Sequence, residues 1–473
     1  MKHHYLWPIL LLISCSPAKK EKCEPIYSQM MVETHGLGDF YCNRHHQAKL
    51  DTTGWDYVSG LVAHSVLKAW SAYPEKKAYY DAVKAFADNS LNEDGTFIHN
   101  KKGKDALRPS NIDDLPAGNI FFGLYEEEMR QGDTLEASKY KTAATLIRNR
   151  LKYDHSRIKA PLPGAGCFFH KAVYPNQVWL DGLFMGSPIY AQWQAKFGKE
   201  DTKDNNESWS DIALQFKTIH QYSYNAEKQL NYHAWTATPE DENSFWAQQD
   251  GKFKGCSPEF WARSMGWYIA ALVDVLEFMP REHADYPAMH RILNEVAAGL
   301  KRWQDPKSGV WYQLLQYDHS MAADGKGDTI SGKVYNVGTQ PNYLESSASA
   351  IFTYAFLKGI RLGLLDKDEY LPVAEKAYNG ILKQFVRQEG NKTHIIQVCA
   401  SAGLGPKNNP SRTGTINYYL AGKDVTITEN EGKAIGSFIM ASVEWEYTYF
   451  SMRAAMVTGV CSRSVRMPIL GAR

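Results

Sequence analysis

The stretch QVWLDGLFMGSPIYAQW, from Gln177 to Trp193, shows how the chain is organised. After Asp181, apolar residues recur at helical spacing, including Met185 and Ile189, and the turn-rich segment before it ends at Trp179. The pattern predicts a helix that begins at or just before Asp181 and buries one apolar face. Such a helix start suits a carboxylate, because the helix dipole and the unpaired N–H groups stabilise negative charge there.

Two interpretations of Asp181 are open on this stretch alone. An isolated acid at this position is expected to cap the helix or to lie in its first turn. A capping acid does not require Trp179 before it, or Phe184 and Met185 after it, whereas a partly desolvated acid that faces a sugar does. The aromatic neighbours therefore favour a carboxylic acid with a chemical role.

The composition limits the classes of function. The chain has 473 residues, of which 44% are hydrophobic and 22% charged, so it can bury a large core. Because 53 Lys and Arg balance 52 Asp and Glu, electrostatics give no support for a nucleic-acid or anionic-membrane partner. Aromatic residues make up 13% of the chain, and either core packing or stacking on sugar rings would use them.

The N-terminal sequence MKHHYLWPILLLISC predicts export. Its apolar run, Leu6 to Ile13, is too short to span a bilayer, and the residues that follow resemble a bacterial lipobox with a lipid on Cys15. A buried strand is the alternative, but the polar SPAKKEK segment favours a tether. We expect a lipoprotein signal peptide at residues 1–14 and a tether at residues 15–24. The protein would be periplasmic or anchored in the outer membrane of a Gram-negative bacterium, with the lipid as its only membrane contact.

The other six cysteines are scattered along the chain. No Cys-x-x-Cys motif or paired His accompanies them, which argues against a zinc site. Export permits disulfides, but the sequence does not settle their pairing, although the first two of these cysteines are the nearest pair. The six are Cys23, Cys42, Cys167, Cys256, Cys399 and Cys461.

Apolar residues at helical spacing recur along the rest of the chain, with little strand signal between them. They predict one all-α domain over residues 25–458, and residues 459–473 stay unassigned. The predicted helices alternate in pairs and span Pro25–Glu33, Trp55–Ser71, Lys76–Ser90, Ala117–Gln131, Leu135–Lys152, Asp181–Phe197, Ser208–Tyr224, Pro258–Phe278, Ala284–Trp303, Glu345–Leu362, Asp368–Phe385 and Ile435–Tyr449.

Every second helix from Trp55 onward follows a loop rich in aromatic or acidic residues. A ring of six helical hairpins would collect these loops at one end of its inner helices, where they would form one concave, aromatic-lined site. The helix after the fourth loop is expected to have Ser257 as its N-cap and Pro258 at its first position. The six loops are Trp55–Tyr57, Asn111–Asp114, the VWLD segment that ends at Asp181, Cys256–Arg263, Asn342–Ser347 and Thr428–Phe438.

Acids and histidines in these loops are candidates for chemistry. Asp113 and Asp114 precede a helix, as capping residues do, but one of them could supply the second carboxylate that sugar chemistry often requires. His170 and His233 lie in aromatic loops, where a structural hydrogen bond and a substrate contact are equally good interpretations.

Arg263 and Trp267 are four residues apart and therefore share a helix face. The pair could simply pack, or it could place a cation beside an aromatic wall that suits a carboxylate-bearing sugar. Glu345 could act only as a helix cap, together with Ser346.

Four segments resemble the unsaturated rhamnogalacturonyl hydrolases of glycoside hydrolase family 105 and, more distantly, the unsaturated glucuronyl hydrolases of family 88. The resemblance runs from about Tyr27 to Tyr449, and several dispersed motifs together are more specific than a single one. It implies an (α/α)6 barrel of six helical hairpins, in agreement with the twelve predicted helices. The segments are GCFFHKAVYPNQ, VWLDGLFMGSP, SPEFWARSMGWYIAALVDVLE and NYLESSASAIFTYAFLKGIRLG.

The resemblance also implies a reaction. Such enzymes release the 4,5-unsaturated uronic acid from the non-reducing end of lyase-generated oligosaccharides, of rhamnogalacturonan or pectin type, by hydrating its C4=C5 vinyl ether. Asp181 matches the family's catalytic Asp, which protonates C4 and assists the addition of water at C5; the hemiketal then rearranges and releases the neighbouring sugar. Asp181 must hold a proton near neutral pH, which burial beside Trp179 and Phe184 would favour.

Other site residues follow from the resemblance. Asp113 matches the family's second Asp, a ligand of a ring hydroxyl or a modulator of the first acid. Two departures, Thr236 in place of an acid and Ser264-Met265 in place of a Gly-Asn pair, lie on the expected leaving-sugar side and leave that sugar open. No metal or organic cofactor is implied. The implied substrate contacts are Tyr57, His170, Trp179, His233, Trp261, Arg263 and Trp267.

Two other functions fit the same residues. A conventional inverting glycosidase would use Asp113 and Asp181 as acid and base, with carboxyl groups roughly 6.5 to 9.5 Å apart. A non-catalytic glycan-binding lipoprotein would use its aromatic residues for stacking and would not need a proton donor at Asp181. The sequence leaves the parent polysaccharide and the oligomeric state open.

Overall fold

The computed structural model describes residues 25–37, 54–98 and 106–456, with side chains up to residue 449. All twelve predicted helices are present, and most of their boundaries lie within four residues of those expected. The helices are α1 (Tyr27–Met31), α2 (Tyr57–Ala72), α3 (Lys77–Asp88), α4 (Ile120–Gln131), α5 (Thr134–Asn149), α6 (Leu180–Phe197), α7 (Thr202–Ser223), α8 (Ala262–Phe278), α9 (Tyr286–Arg302), α10 (Ser346–Arg361), α11 (Lys367–Gln384), α12 (Ile416–Ala421) and α13 (Gly432–Met456).

Six of these helices form a closed inner ring. Helices α2, α4, α6, α8, α10 and α13 follow one another around it, with the 3-10 turn Pro116–Asn119 completing the inner end of α4, and α13 packs back on α2. Helices α3, α5, α7, α9 and α11 lie outside the ring, and α1 packs on α13. Gly60 allows the close approach of α2 to the 3-10 turn, since a Cβ there would lie 2.4 Å from the Cα of Ala117. The fold is the expected (α/α)6 barrel.

The start of α8 corrects the sequence prediction. This helix begins at Ala262 with Trp261 at its N-cap, so the expectation that Ser257 caps it was wrong. The reason is a competing interaction. The backbone of Ser257 donates a hydrogen bond to the carbonyl of Ala234 (2.9 Å), and its hydroxyl accepts one from the N–H of Ala234 (3.2 Å). Residues 257–261 therefore run alongside another loop instead of joining the helix.

Short strands were also missed. The described residues contain five two-stranded antiparallel sheets, with strands of two to four residues. In the sheet that matters most for the site, Gln177–Trp179 pairs with Ala234–Thr236, and Trp179 lies opposite Ala234. The short helix α12, which the sequence analysis also missed, follows a long irregular segment after α11.

Several predictions from the sequence lie outside the described residues. They are the signal peptide, the tether with the lipidated Cys15, the possible Cys23–Cys42 pair, and the unassigned tail. Within the described residues, Cys167, Cys256 and Cys399 are buried free thiols. None of the described helices is long and apolar enough to cross a bilayer.

A buried ion cluster joins two inner helices at the end of the ring away from the six loops. The ammonium of Lys358, which is 1% exposed, lies 2.6 Å from Oδ1 of Asp274 and 2.7 Å from Oε2 of Glu277. The hydroxyl of Tyr354 donates a hydrogen bond to the same Asp274 oxygen (2.7 Å). The cluster links α10 to α8, because a buried charge requires a partner of opposite sign.

Replacement of Lys358 should therefore destabilise the barrel. Lys358→Met removes the ammonium that contacts both Asp274 and Glu277, and we expect the free energy of unfolding to fall by about 3 to 5 kcal/mol in urea denaturation. Lys77→Met is the control, since Lys77 pairs with Asp81 on the surface and should change stability by less than about 1 kcal/mol. Equal, small effects of the two substitutions would contradict a structural role for the cluster.

Candidate active site

The six predicted loops meet at one end of the inner ring. Side-chain contacts join three pairs of these loops, and two more join Asp113 to His170 and Asp181 to His233, so residues that are hundreds of positions apart in the chain lie together. These contacts are the hydrogen bond from Trp55 Nε1 to the carbonyl of Asp114 (2.8 Å), the approach of Asp113 to His170 (3.8 Å), of Asp181 to His233 (3.0 Å) and of Arg263 to Glu345 (3.3 Å), and the ammonium of Lys433 5.9 Å from the ring centre of Tyr57.

Asp181 does not cap its helix. Trp179 occupies the N-cap position of α6, and Asp181 lies in the first turn without a capping hydrogen bond. Asp181 is 9% exposed, and its Oδ2 faces Nε2 of His233 at 3.0 Å. The two atoms are close, but neither has a hydrogen-bond partner of suitable geometry among the described groups, each other included. The structure therefore removes the capping interpretation and leaves an acid directed at an imidazole.

A strand pairing brings His233 to Asp181. Because Trp179 pairs with Ala234, the next residue of the first strand, Leu180, donates its backbone N–H to the carbonyl of His233 (3.0 Å). Asp181, the residue after Leu180, then lies beside the side chain of His233. No periodic signal in the sequence predicts so short a pairing.

The other ring nitrogen of His233 forms a hydrogen bond with Tyr419, which was not among the predicted site residues. The hydroxyl of Tyr419 lies 2.6 Å from Nδ1 of His233. Burial raises the pKa of the Tyr419 phenol well above its usual value, and the nearby carboxylates of Asp181 and Glu259 raise it further. Since the phenol keeps its proton, we assign it as the donor to Nδ1. This assignment places the imidazole proton on Nε2, where it faces Asp181.

Trp179 and His170 form a rigid wall beside the acid. Their rings stack with centroids 4.3 Å apart, and Tyr174 packs on Trp179 at 4.6 Å. Burial lowers the pKa of His170 to about 4, so its imidazole is neutral at pH 7. Gly182 allows the imidazole to approach α6, because a Cβ at that position would lie 3.3 Å from Nδ1 of His170.

Asp113 is held as an anion. Burial acts to raise the pKa of its carboxyl, but the attraction of the Lys171 ammonium, which contacts Oδ2, outweighs burial and keeps the pKa below its usual value. Its neighbour Asp114 is different, because it is enclosed by Arg108 and Asn111 and serves the structure of the loop. Of the two acids, Asp113 is therefore the one available to accept hydrogen bonds from a ligand.

Arg263 is a buried cation, 1% exposed. Its Nε donates to the hydroxyl of Ser347 (2.8 Å), and one terminal nitrogen contacts both Glu345 (3.3 Å) and the carbonyl of Cys399. Glu345 also caps α10 by accepting the N–H of Ala348, as expected. The guanidinium is thus fixed at the site by partners from two other segments.

The expected pairing of Arg263 with Trp267 was wrong. The guanidinium lies 5.6 Å from the ring centre of Trp261, whereas Trp267 stacks on Phe184 at 4.7 Å inside the barrel. The helix starts after Trp261, and its first residues turn Arg263 toward the loops while Trp267, one turn later, points to the core. Its packing on Phe184 connects α8 to α6 behind the acid.

The three residues that make up the two departures from the family pattern are buried. The hydroxyl of Thr236 accepts a hydrogen bond from Ser244 (3.1 Å), and that of Ser264 donates to the carbonyl of Trp261 (2.8 Å). The sulfur of Met265 accepts the N–H of Asn231 (3.4 Å). Each of the three residues is at most 1% exposed and its polar atom is engaged within the protein, so these residues offer the leaving sugar no free hydrogen-bonding group.

Two residues of the site were missed for different reasons. Lys171 directly follows His170, a predicted substrate contact, and this position was a usable signal. Tyr419 lies in a segment without periodicity, 186 residues after His233, and had no signal. The same segment passes over the site, where a Cβ on Gly403 would lie 3.4 Å from the Trp179 ring.

Among the described residues, no group of three or more His, Cys, Asp or Glu could hold a metal ion.

Comparison with known proteins identifies the family. The sequence profile of Glycosyl Hydrolase Family 88 matches residues 38–324 and 332–449. The chain belongs to this family. It is therefore a glycoside hydrolase.

Relatives of the hydrolase include family 105 proteins. A Clostridium acetobutylicum glycoside hydrolase from family 105 is 31% identical, with a TM-score of 0.69 over 89% of this chain and 100% of that one. The 24.9 kDa protein in picA locus of Rhizobium radiobacter is 31% identical over 209 residues, 43% of this chain and 78% of that protein. The unsaturated 3S-rhamnoglycuronyl hydrolase of Formosa agariphila is 23% identical over 249 residues, 52% of this chain and 57% of that protein.

The charge balance at Asp113 predicts a pH effect on the hydrolase. In Lys171→Met, burial is no longer opposed by the ammonium, so the pKa of Asp113 should rise. We expect the acidic limb of the kcat/KM profile to move to higher pH, because Asp113 then becomes an anion only at higher pH. Lys171→Arg keeps the cation and should leave the limb in place. An unshifted limb in Lys171→Met would show that the ionised form of Asp113 is not required.

Proposed function

We propose that this hydrolase removes the 4,5-unsaturated uronic acid from the non-reducing end of lyase-generated oligosaccharides, with rhamnogalacturonan or a related pectin as parent polymer. The family 105 relative and the relative named as an unsaturated 3S-rhamnoglycuronyl hydrolase support this substrate class. The observation that carries the proposal is the position of Asp181, in the first turn of α6, without a capping bond and facing His233.

In this proposal, Asp181 acts first as an acid and then as a base. Its proton passes to C4 of the vinyl ether, which leaves a cation shared by C5 and the ring oxygen. The Nε2–H group of His233, 3.0 Å away, stabilises the carboxylate that remains. Water then adds to C5 and returns a proton to Asp181. No group on the protein is consumed in this cycle.

Release of the sugar follows from the chemistry of the hydrated ring. The hemiketal at C5 opens to a ketone and gives its proton to the ring oxygen, which makes C1 a hemiacetal. The C1 hemiacetal then expels the neighbouring sugar as an alcohol. Direct displacement at C1 is therefore unnecessary, and a second catalytic carboxylate is not required there.

Asp113 has a binding role in this scheme. As an anion held by Lys171, it is suited to accept hydrogen bonds from ring hydroxyls and unsuited to donate a proton. The aromatic wall of Trp179 and His170 would face the sugar ring from one side. We retain Tyr57, Trp261 and Arg263 as proposed substrate contacts, whereas Trp267 points to the core and packs on Phe184 instead.

Unsaturated substrates and their saturated counterparts test the reaction. We expect the wild-type protein to remove the ultraviolet absorbance of the double bond and to leave saturated oligosaccharides intact. Asp181→Asn should lower the rate by about 100-fold or more, because the proton donor is lost. Asp81→Asn is the control, since Asp81 lies on the surface and pairs with Lys77.

Other outcomes identify other functions. Equal cleavage of saturated substrates would mean that a conventional inverting glycosidase, with Asp113 and Asp181 as the two carboxyl groups, is correct. Sugar binding without turnover, and with the same affinity in Asp181→Asn, would mean a non-catalytic binder. Loss of the double bond at equal rates in wild type and Asp181→Asn would assign the proton donor to another residue.

We also propose that the hydrolase is exported and carries a lipid on Cys15. The apolar run Leu6 to Ile13 and the polar segment after Cys15 support this proposal. Radiolabelled fatty acid should be incorporated into the wild-type protein expressed in a Gram-negative host and should be absent from Cys15→Ser. Equal labelling of the two proteins would exclude this lipidation site.

A further inference from the structure

Glu259 is a carboxyl at the site that the reaction above does not use. It precedes Phe260 and Trp261, and its backbone carbonyl accepts the N–H of His233 (3.4 Å). The backbone of Glu259 therefore contacts the backbone of His233, the residue whose side chain faces Asp181. The carboxylates of Glu259 and Asp181 both act on the phenol of Tyr419. Both carboxyl groups thus contribute to the electrostatic environment of the same buried phenol.

The partners of Glu259 are neutral. The amide nitrogen of Gln316 donates to its Oε2 (2.5 Å), and the hydroxyl of Tyr317 forms a second hydrogen bond to the carboxyl. In the described part of the chain, this carboxyl has no Lys, Arg or His partner. Burial raises the pKa of Glu259 to about 7. A carboxyl in this environment accepts hydrogen bonds well but does not tolerate a second negative charge nearby.

Gln316 supplies a second acceptor at the same place. Its Oε1 is buried and has no hydrogen-bond partner among the described groups. A buried acceptor without a hydrogen bond destabilises the protein, and a donor from a bound ligand would remove this cost. Tyr317, the next residue, packs against the cluster that contains Trp261 and Tyr419, so the Gln316–Glu259 pair lies near these two aromatic residues. Two neighbouring acceptors match two hydroxyl donors of a sugar ring.

We propose that Glu259 and Gln316 bind the leaving sugar and select a neutral, hydroxyl-bearing ring over a sulfated or carboxylated one. This inference rests on the proposed function, because it assigns the sugar that is released. Hydroxyl groups satisfy both acceptors, whereas a sulfate or carboxylate on the same ring places like charges together without a cation. The buried positions Thr236, Ser264 and Met265 cannot supply this selection.

Paired substrates test the inference. Two disaccharides with the same unsaturated uronic acid are compared, one with rhamnose and one with sulfated rhamnose as the leaving sugar. The assays are run at about pH 8, above the pKa of Glu259, where the phenols of Tyr317 and Tyr419 remain protonated. We expect wild-type kcat/KM to favour the neutral leaving sugar by about tenfold or more.

Three variants separate selection from folding. Glu259→Gln removes the charge but keeps the size, and should reduce the preference for the neutral sugar mainly by improving kcat/KM on the sulfated one. Gln316→Met should lower kcat/KM on the neutral sugar by about tenfold, because an acceptor is lost. Glu240→Gln is the matched control, since Glu240 is exposed and pairs with Lys254, and it should leave both values unchanged.

The outcomes distinguish this inference from the proposed function. A wild-type protein that consumes both disaccharides equally, or a preference unchanged in Glu259→Gln, would overturn the selection by Glu259 while leaving the reaction intact. Failure of the wild-type protein to consume either unsaturated disaccharide would overturn the proposed function, and this inference with it. The midpoint of thermal unfolding should be the same for each variant as for the wild-type protein, which shows that the kcat/KM values are compared between folded proteins.

Discussion

Nε2 of His233 and Oδ2 of Asp181 face each other at 3.0 Å, and this contact depends on the pairing of two strands only three residues long. The pairing aligns Trp179 with Ala234, which places Leu180 opposite His233 and Asp181, the next residue, beside the imidazole. Tyr419, from a third segment, then fixes the orientation of the imidazole through Nδ1. The barrel supplies the frame, since Asp181 is carried by the first turn of an inner helix whose position the ring determines.

Burial keeps the groups around this contact in place. His170, Trp179, Trp261 and Trp267 are each at most 5% exposed, and each stacks on another ring. The cations at the site are also held in place. Lys171 contacts the carboxylate of Asp113, and Arg263 contacts that of Glu345, each from another loop. A site with fixed dipoles and paired charges does not have to reorganise when charge develops on the substrate, which is the main requirement for electrostatic catalysis.

The sequence predicted the helices but not the geometry between them. A helix such as α6 or α10 is long enough for its apolar spacing to be recognised, and the alternation of long helices with aromatic loops led to the barrel. Strands of two to four residues have no recognisable period, so the pairing of Trp179 with Ala234 was missed. Ser257 was misassigned because local capping rules do not include the competing backbone partner Ala234. The acid was identified, but its imidazole and phenol neighbours required the fold.

The central claim is that Asp181 delivers a proton to C4 of an unsaturated uronic acid. The most direct measurement is the reaction of an unsaturated disaccharide in deuterium oxide, with the product examined by nuclear magnetic resonance at early times. The account predicts one deuterium at C4, on a single face of the ring, because the exchanged carboxylic acid transfers it stereospecifically. An unsaturated monosaccharide product without deuterium at C4 would contradict the account, since the double bond would then have survived cleavage.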